Sequence, residues 1–402
     1  MREGSINAAA SQLQMRRHNL SLALRAILDD GQATRAELAR RLGLSKPAVT
    51  RIVGDLLAAG YVAEVGPEAA NGRGRPGSRL VPHDDAHAFL GVDIRLDRLV
   101  AQARTLTGAV LAEATAPGPI PATSEDLVQS VTTLLRRVTE PLERPVGGVG
   151  VAVGGTVDDA AGRIVRTAHL AWRDVPIARR LREAVGDDAV PVRLADAARC
   201  AASANWREVS GDPAAADLLH LQLGVGAGTG WIDRQTGAPH PRLPAPITHL
   251  PIDPNGERCP CGARGCLDVM AGFPAFVQLA GVEAPTPSGD HTVMRDYCAL
   301  VLERAQRGDE RAAEAIRLVA TRIAEAASIL ILTFAPTRFT LGGYPLMLGE
   351  SFRSAFLSGI RPRVPEIEAT LVSTGLGDEA SLVGAYLLGV AAMADDPLRL
   401  LR

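Results

Sequence analysis

Three cysteines crowd into eight positions of this 402-residue chain, Cys259, Cys261 and Cys266, and His249 stands ten positions ahead of the first. The run His249-x9-Cys259-x-Cys261-x4-Cys266 offers three thiolates and one imidazole, soft ligands in the number and type of a closed tetrahedral zinc site. Four protein ligands leave no open position for water, so a zinc ion here is expected to be structural. Gly262 and Gly265 permit the tight loop that such ligands need. The alternative is a group of buried cysteines without metal. The remaining two, Cys200 and Cys298, stand apart, and five cysteines spaced in this way make a poor disulfide framework and suit a reducing compartment.

A second chemistry is electrostatic. Residues 1–80 carry 12 basic and 7 acidic side chains while the remainder carries 31 basic and 38 acidic, although the whole chain has a formal charge of only −2. The front of the chain is therefore the candidate for an anionic partner. Of the 43 basic residues only Lys46 is a lysine, which a general arginine bias explains without any function.

The elements that must position these groups begin with helices. From Gln14 to Leu28 the apolar positions Leu20, Leu24, Ile27 and Leu28 share one helical face, and Asp29-Asp30-Gly31 ends it. Thr34 with Glu37 forms a capping box for a shorter helix, which Gly43 closes. Ser45 is the expected N-cap of a third, Pro47 fits its first turn, and Val49, Ile52, Val53, Leu56 and Leu57 form its apolar stripe. Two short helices joined by such a turn, the second with Lys46, Thr50 and Arg51 on its outer face, describe a helix-turn-helix reader of double-stranded DNA. Strands at 61–65 and 79–81 flank the loop from Gly66 to Gly77, a wing whose Arg73 and Arg75 suit phosphates or the minor groove. The alternative is a small helical protein-interaction domain with solvated basic residues.

Beyond Pro82 the pattern turns to α/β. Strands are expected at 89–94, 99–103, 109–111 and 149–153, with a helix over 125–140. A second round opens with a strand at 220–224, a tight glycine-rich turn over 224–230 and a returning strand at 231–233, followed by long helices over 291–335. Two strand–glycine–strand units, each followed by helices, suggest duplicated α/β lobes around a cleft. With 47% apolar residues the chain can bury a sizeable core, and at ~100–200 residues per domain it should hold two or three domains. A small disulfide module, a fibre and wholesale disorder are excluded. No stretch approaches the ~20 apolar residues of a membrane helix, and the start reads as no secretory leader. A soluble, cytoplasmic protein is expected.

In order and spacing, GVGVAVGGTVDDAAGRIV, HLAWRDVPI, LADAARCAASANW, LQLGVGAGTGWID and HLPIDPNGERCPCGARGCLD resemble the ROK family of bacterial repressors and sugar kinases over nearly the whole chain. TRAELARRLGLSKPAVTRIVGDLLAAGYVAEVG with NGRGRPGSRL resembles the winged helix of the family's repressor branch. The resemblance implies a winged helix-turn-helix at 14–81 and a two-lobed, actin-like ROK domain at 86–395, for effector binding and oligomerisation. It implies DNA contacts from Thr34, Ser45, Lys46, Pro47, Thr50, Arg51, Arg73 and Arg75. It implies effector contacts from Gly155, Asp196, His249 and Asp268, and a homodimer or homotetramer. In the family the zinc site holds the loop that positions sugar-binding residues.

The sequence departs from the family's kinases at several points. Asp196 lies where they place the general base, a task a carboxylate can perform. Ala195 replaces the usual Asn before it, and Pro246-Ile247-Thr248-His249 replaces Glu-x-Gly-His. Asp268 stands for the usual Glu. The first phosphate loop, Asp-x-Gly-Gly-Thr in the family, reads Asp93-Ile94-Arg95-Leu96-Asp97, so side chains occupy the space where backbone amides would approach phosphate. The run Gly224–Gly230 survives, but such a run alone is as often a plain β-turn, and the resemblance implies an old adenosine-side turn at Gly342-Gly343. The expectation is a repressor of carbohydrate genes that answers to a sugar or sugar-derived effector and has lost kinase activity, with Asp196 a vestigial base. The alternatives are a working sugar kinase and a regulator whose effector site is dead.

Overall fold

The periodic stretch from Gln14 to Leu28 lies inside a longer helix, α1 (Arg2–Asp30), whose Leu20, Leu24 and Ile27 are fully buried. The chain is described from a computed structural model, which covers residues 2–67, 78–95, 98–117, 123–167, 172–211, 217–233, 238–239, 247–283, 291–364 and 370–399. After α1 come β1 (Ala33–Thr34), α2 (Arg35–Leu42), α3 (Lys46–Ala58), β2 (Val62–Pro67) and β3 (Ser78–Pro82). These form a small winged module with the sheet order β1-β3-β2. The capping box is present, with the Thr34 hydroxyl accepting from Glu37 N–H and the Glu37 carboxylate accepting from Thr34 N–H. Gly43 closes α2 with φ of 64°. Strand β1 had no signal in the sequence, because two residues are too few to show a period.

The first lobe runs through β4 (Ala88–Ile94), β5 (Arg98–Arg104), β6 (Val110–Pro117), α4 (Ser124–Thr139) and β7 (Val146–Val153). It continues with β8 (Gly155–Asp158), β9 (Arg163–Thr167), β10 (Arg173–Val175), α5 (Ile177–Val185) and β11 (Val192–Asp196). Its main sheet has the order β11-β7-β4-β5-β6, and β8 to β10 form a separate three-stranded sheet. Helix α6 (Ala197–Val209) crosses to the second lobe. There β12 (Asp217–Leu223), β13 (Ala227–Asp233) and β14 (Ala238–Pro239) precede α7 (Leu267–Ala271), α8 (Phe273–Leu279), α9 (His291–Gln306) and α10 (Glu310–Phe334). The lobe ends with β15 (Arg338–Gly343), α11 (Gly349–Ile360) and β16 (Thr370–Leu371), and α12 (Ala380–Asp395) returns to the first lobe.

The second main sheet has the order β14-β13-β12-β15-β16. In each lobe the first strand pairs antiparallel with the second and parallel with the fourth, and the fifth joins parallel at the edge. The duplication suggested by two strand–glycine–strand units is therefore a repeat of topology. Each lobe has its own apolar core. A third core is shared: Leu20, Leu24 and Ile27 of α1 pack with Phe89, Leu106, Tyr386, Val390 and Met393 of the first lobe and α12.

Helix α12 meets β7 backbone to backbone. A Cβ placed on Gly150 would overlap the carbonyl oxygen of Ala385, and one on Gly148 that of Gly389. On its other side Gly384 faces the carbonyl of Cys200 in α6 in the same way. At these three positions the elements lie too close to admit a side chain. Among the described residues no helix is long and apolar enough to cross a membrane.

Candidate DNA interface, metal centre and effector pocket

Helix α3 buries Val49, Ile52, Val53 and Leu56, and this rotation leaves Lys46, Pro47, Thr50 and Arg51 exposed on the opposite side. Ser45 is in the extended conformation that precedes a helix, but its side chain makes no capping bond. The expected side-chain cap is thus corrected: with Pro47 in the first turn one of the orphan N–H groups is already missing, and the Ser45 hydroxyl stays on the exposed end of the helix. The Thr50 hydroxyl donates back to Lys46 O at 2.9 Å, which holds it against the helix. Thr34 has both its N–H and its hydroxyl engaged with Glu37, so its local part is that of a cap. Those bonds hold the Glu37 carboxyl below its ordinary range. Arg73 and Arg75 lie outside the described residues. The base of the wing is tied by Arg35, which donates to Glu64 Oε1 at 2.8 Å, and by Ser78, which also donates to Glu64.

The four sulfur and nitrogen residues of the second lobe do converge. Ligand atoms of His249, Cys259, Cys261 and Cys266 all lie within 4.8 Å of one another. His249 ends a short 3₁₀ turn, Cys259 and Cys261 occupy a tight hairpin, and Cys266 sits at the N-cap of α7. Gly262 and Gly265 adopt φ of 97° and 60°, the conformation that the ligand loop was expected to require. Burial pushes the Cys266 thiol up to about 12, whereas the Ala263 N–H draws Cys261 down. Three sulfurs and an imidazole at this spacing suit a soft or borderline divalent cation.

Asp196 closes β11 and opens α6. Its Oδ1 accepts from Ala198 N–H at 2.9 Å, as an N-cap, and its Oδ2 accepts from Gly155 N–H at 3.3 Å. Two of the proposed effector residues are thereby in direct contact. Enclosure by protein raises the carboxyl to about 6, against the opposing pull of those two N–H groups. The metal cluster reaches this point through a chain of contacts. Thr248, beside the candidate ligand His249, donates to Ala227 O at 2.7 Å and accepts from Ala227 N–H at 3.1 Å. At the other end of the metal segment, Phe273 N–H donates to Gly224 O at 3.1 Å. Both ends of the segment are thus pinned to the β12–β13 hairpin, and Gly228 in that hairpin lies against Asp196. Asp268 is half-buried in the first turn of α7, directly after the Cys266 N-cap.

The tight turn expected over 224–230 is shorter. Strand β13 begins at Ala227, and a Cβ at Gly230 would overlap that of Ala202 in α6, so the later glycines admit a helix rather than a phosphate. Asp93 is buried and accepts from the Ser381 hydroxyl. Arg95 Nη1 donates to the carbonyl oxygen of Asp378 at 3.1 Å, and Leu96 and Asp97 lie outside the described residues. The Gln222 amide occupies the space above Gly342 and bonds His220, whose other ring nitrogen contacts Asn205 and Thr340. Burial lowers His220 to about 4, so this ring is neutral. The network is not visible in the sequence because its members come from three elements, α6, β12 and β15, with Thr340 lying 120 residues beyond His220.

A winged helix built onto a two-lobed domain of repeated five-stranded sheets is the construction of a DNA-binding regulator on an actin-like, sugar-kinase frame. The chain belongs to the ROK family, whose model matches residues 89–391, and a MarR family model matches residues 21–74. The xylose repressor of Caldicellulosiruptor bescii is 24% identical over 94% of this chain and 97% of its own. The DNA-binding transcriptional dual regulator NagC of Escherichia coli is 25% identical over 93% of each chain. Among solved structures, a ROK family transcriptional regulator described as a homologue of the E. coli MLC protein superposes with a TM-score of 0.78 at 22% identity, over 96% of this chain and 98% of that one. The ROK family glucokinase of Streptomyces griseus superposes with a TM-score of 0.60 at 25% identity, over 75% of this chain and 99% of its own.

Proposed function

We propose that the chain is a sugar-responsive transcriptional repressor of carbohydrate uptake or metabolism genes. It acts in the cytoplasm as a homodimer or homotetramer on a palindromic operator. The carrying observation is that the winged module, with Lys46, Thr50 and Arg51 exposed, shares a core with the lobe that holds Asp196 and Gly155. Binding at the lobe and binding to DNA then act on one packed unit. Lys46, Thr50 and Arg51, with Ser45 and Pro47, face the major groove, and Arg73 and Arg75 hold phosphates or the minor groove. The module ends near Val81 and the effector domain begins near Ala86. The relatives' names point to xylose and N-acetylglucosamine as the first sugars to try.

The metal is zinc, structural, held by His249, Cys259, Cys261 and Cys266, and it keeps Thr248 and α7 in place at the mouth of the pocket. There Asp196 accepts a sugar hydroxyl, Gly155 orients it, and His249 and Asp268 border the ligand. Phosphoryl transfer is lost. A base alone contributes ~100- to 10,000-fold, and the rest depends on positioning and charge stabilisation at the transferring phosphate. Arg95, bonded to Asp378, stands where glycine amides would do that.

Genomic footprinting, followed by gel shifts of the recovered operator against a sugar panel, tests the reading. A palindromic site released by one sugar supports it, and the absence of specific sites overturns it. An ATP-consumption assay over the same panel addresses the kinase reading, since turnover abolished by Asp196→Asn would restore it. A sugar that raises the melting temperature without turnover separates a live effector pocket from a dead one.

A further inference from the structure

Asp395, the last residue of α12, accepts two arginines from different parts of the molecule. Its Oδ1 takes Arg25 Nη2 of α1 at 2.6 Å, and its Oδ2 takes Arg193 Nη1 of β11 at 2.9 Å. Arg193 is three residues from Asp196 on the same strand. Its Nε donates to Asp159, in the turn after β8, and the other oxygen of Asp159 accepts Leu194 N–H at 2.7 Å. Strands β8 and β11 are therefore clamped at both ends, by Gly155 and Asp196 at the pocket and by Asp159 with Arg193 at the far side.

We infer that Asp395 is the joint through which the pocket clamp of β8 and β11 bears on α1, the helix that packs beneath the winged module. A ligand that shifts Gly155 against Asp196 must rotate or slide β8 along β11, and the Asp159–Arg193 contact carries that motion to the guanidinium. Helix α12 yields little along its length, because its backbone touches Gly148 and Gly150 of β7 and, at Gly384, the backbone of α6. The displacement passes instead to Asp395 and from there to Arg25. Each of these ion pairs is part-exposed and so adds little to stability, which makes their role geometric. Coupling of this kind needs an element with two arrangements whose balance both sites bias, and the orientation of α1 on α12 is that element.

This inference rests on Gly155 and Asp196 being effector groups, but its test requires no effector, so the two can fail separately. Hydrogen exchange of the full chain, followed by mass spectrometry, reads it directly. Arg25→Gln, which removes only the contact on α1, should speed exchange over 192–196 by about two- to thirtyfold, the span expected for coupling through a shared contact. Asp159→Asn, at the opposite end, should speed exchange over 20–30 by a similar factor. Arg16→Gln breaks the Arg16–Asp55 pair inside the winged module and should leave 192–196 unchanged. Arg25→Gln confined in its effect to α1, or Arg16→Gln acting as strongly as Arg25→Gln on β11, overturns the inference. Should Asp395→Asn fail to fold, the two end variants still decide it.

Discussion

Asp196 sets a pH dependence that can be worked out from its surroundings. Its folded carboxyl titrates at about 6, above the ordinary value of 3.8, because enclosure disfavours the charged form more than two N–H donors favour it. A group raised on folding supports the fold fully below its unfolded pKa and loses that support as pH climbs through the folded one. Stability from this residue is therefore present below about pH 4 and gone above about pH 6. Asp196→Asn keeps an acceptor for Ala198 N–H but carries no charge. The variant should melt higher than the natural chain at pH 7.5, with the gap closing as the pH falls toward 4 in a series of thermal melts. Equal melting points at both ends would mean that the carboxylate is solvated. On α3, Arg51→Ala should weaken specific operator binding by ~1–3 kcal/mol if the guanidinium reads a base, whereas Arg73→Ala should flatten the salt dependence by one counterion. Titrations at several salt concentrations distinguish the two effects. The exposed position of Arg51 was readable in advance because an exposed polar face follows from the apolar period behind it. The bond from Gly155 to Asp196 was not, since it joins strands separated by forty residues.

At the scale of elements, what the sequence revealed depended on length and local chemistry. Helices α2 and α3 announced themselves by Thr34, Glu37, Gly43 and Pro47, whose effects act within one turn. The sheet of β8, β9 and β10 did not, because strands of three to five residues carry too few alternations to register. The His–Cys segment lay between: its four candidate ligands were plain in the spacing, but its attachment to the β12–β13 hairpin through Thr248 and Phe273 needed the fold. That attachment leads to a prediction. Elemental analysis should give one zinc per chain, and Cys261→Ala should lower this well below one and increase proteolysis over 250–266. The same variant should weaken sugar binding although residue 261 touches no sugar, because the hairpin beside Asp196 loses an anchor. Full zinc content in Cys261→Ala, or an unchanged sugar affinity after zinc loss, would contradict this account.

For the molecule as a whole, the third core decides how separable the parts are. Leu20, Leu24 and Ile27 cover Phe89, Leu106, Tyr386, Val390 and Met393, all of which are at most 6% exposed. A truncated chain beginning at Ala86 should therefore lose operator binding and also expose a contiguous apolar face, and it should self-associate in size-exclusion chromatography at concentrations where the full chain does not. If it bound the operator as tightly as the full chain, the winged module would not be the reader. The two lobes repeat one strand order, of which the sequence hinted only through its two strand–glycine–strand units. The seam under α12 limits how far the sequence can vary. Gly150 faces Ala385, Gly148 faces Gly389, and Gly384 faces Cys200, each at backbone contact. A single mutation at any of these glycines adds a methyl group with nowhere to go, and no change of the partner side chain can make room, because the obstacle is main chain. Lineages descending from this chain can vary their operators and their sugars, but they inherit these glycines unaltered or must rebuild the junction of helix and sheet in several simultaneous steps.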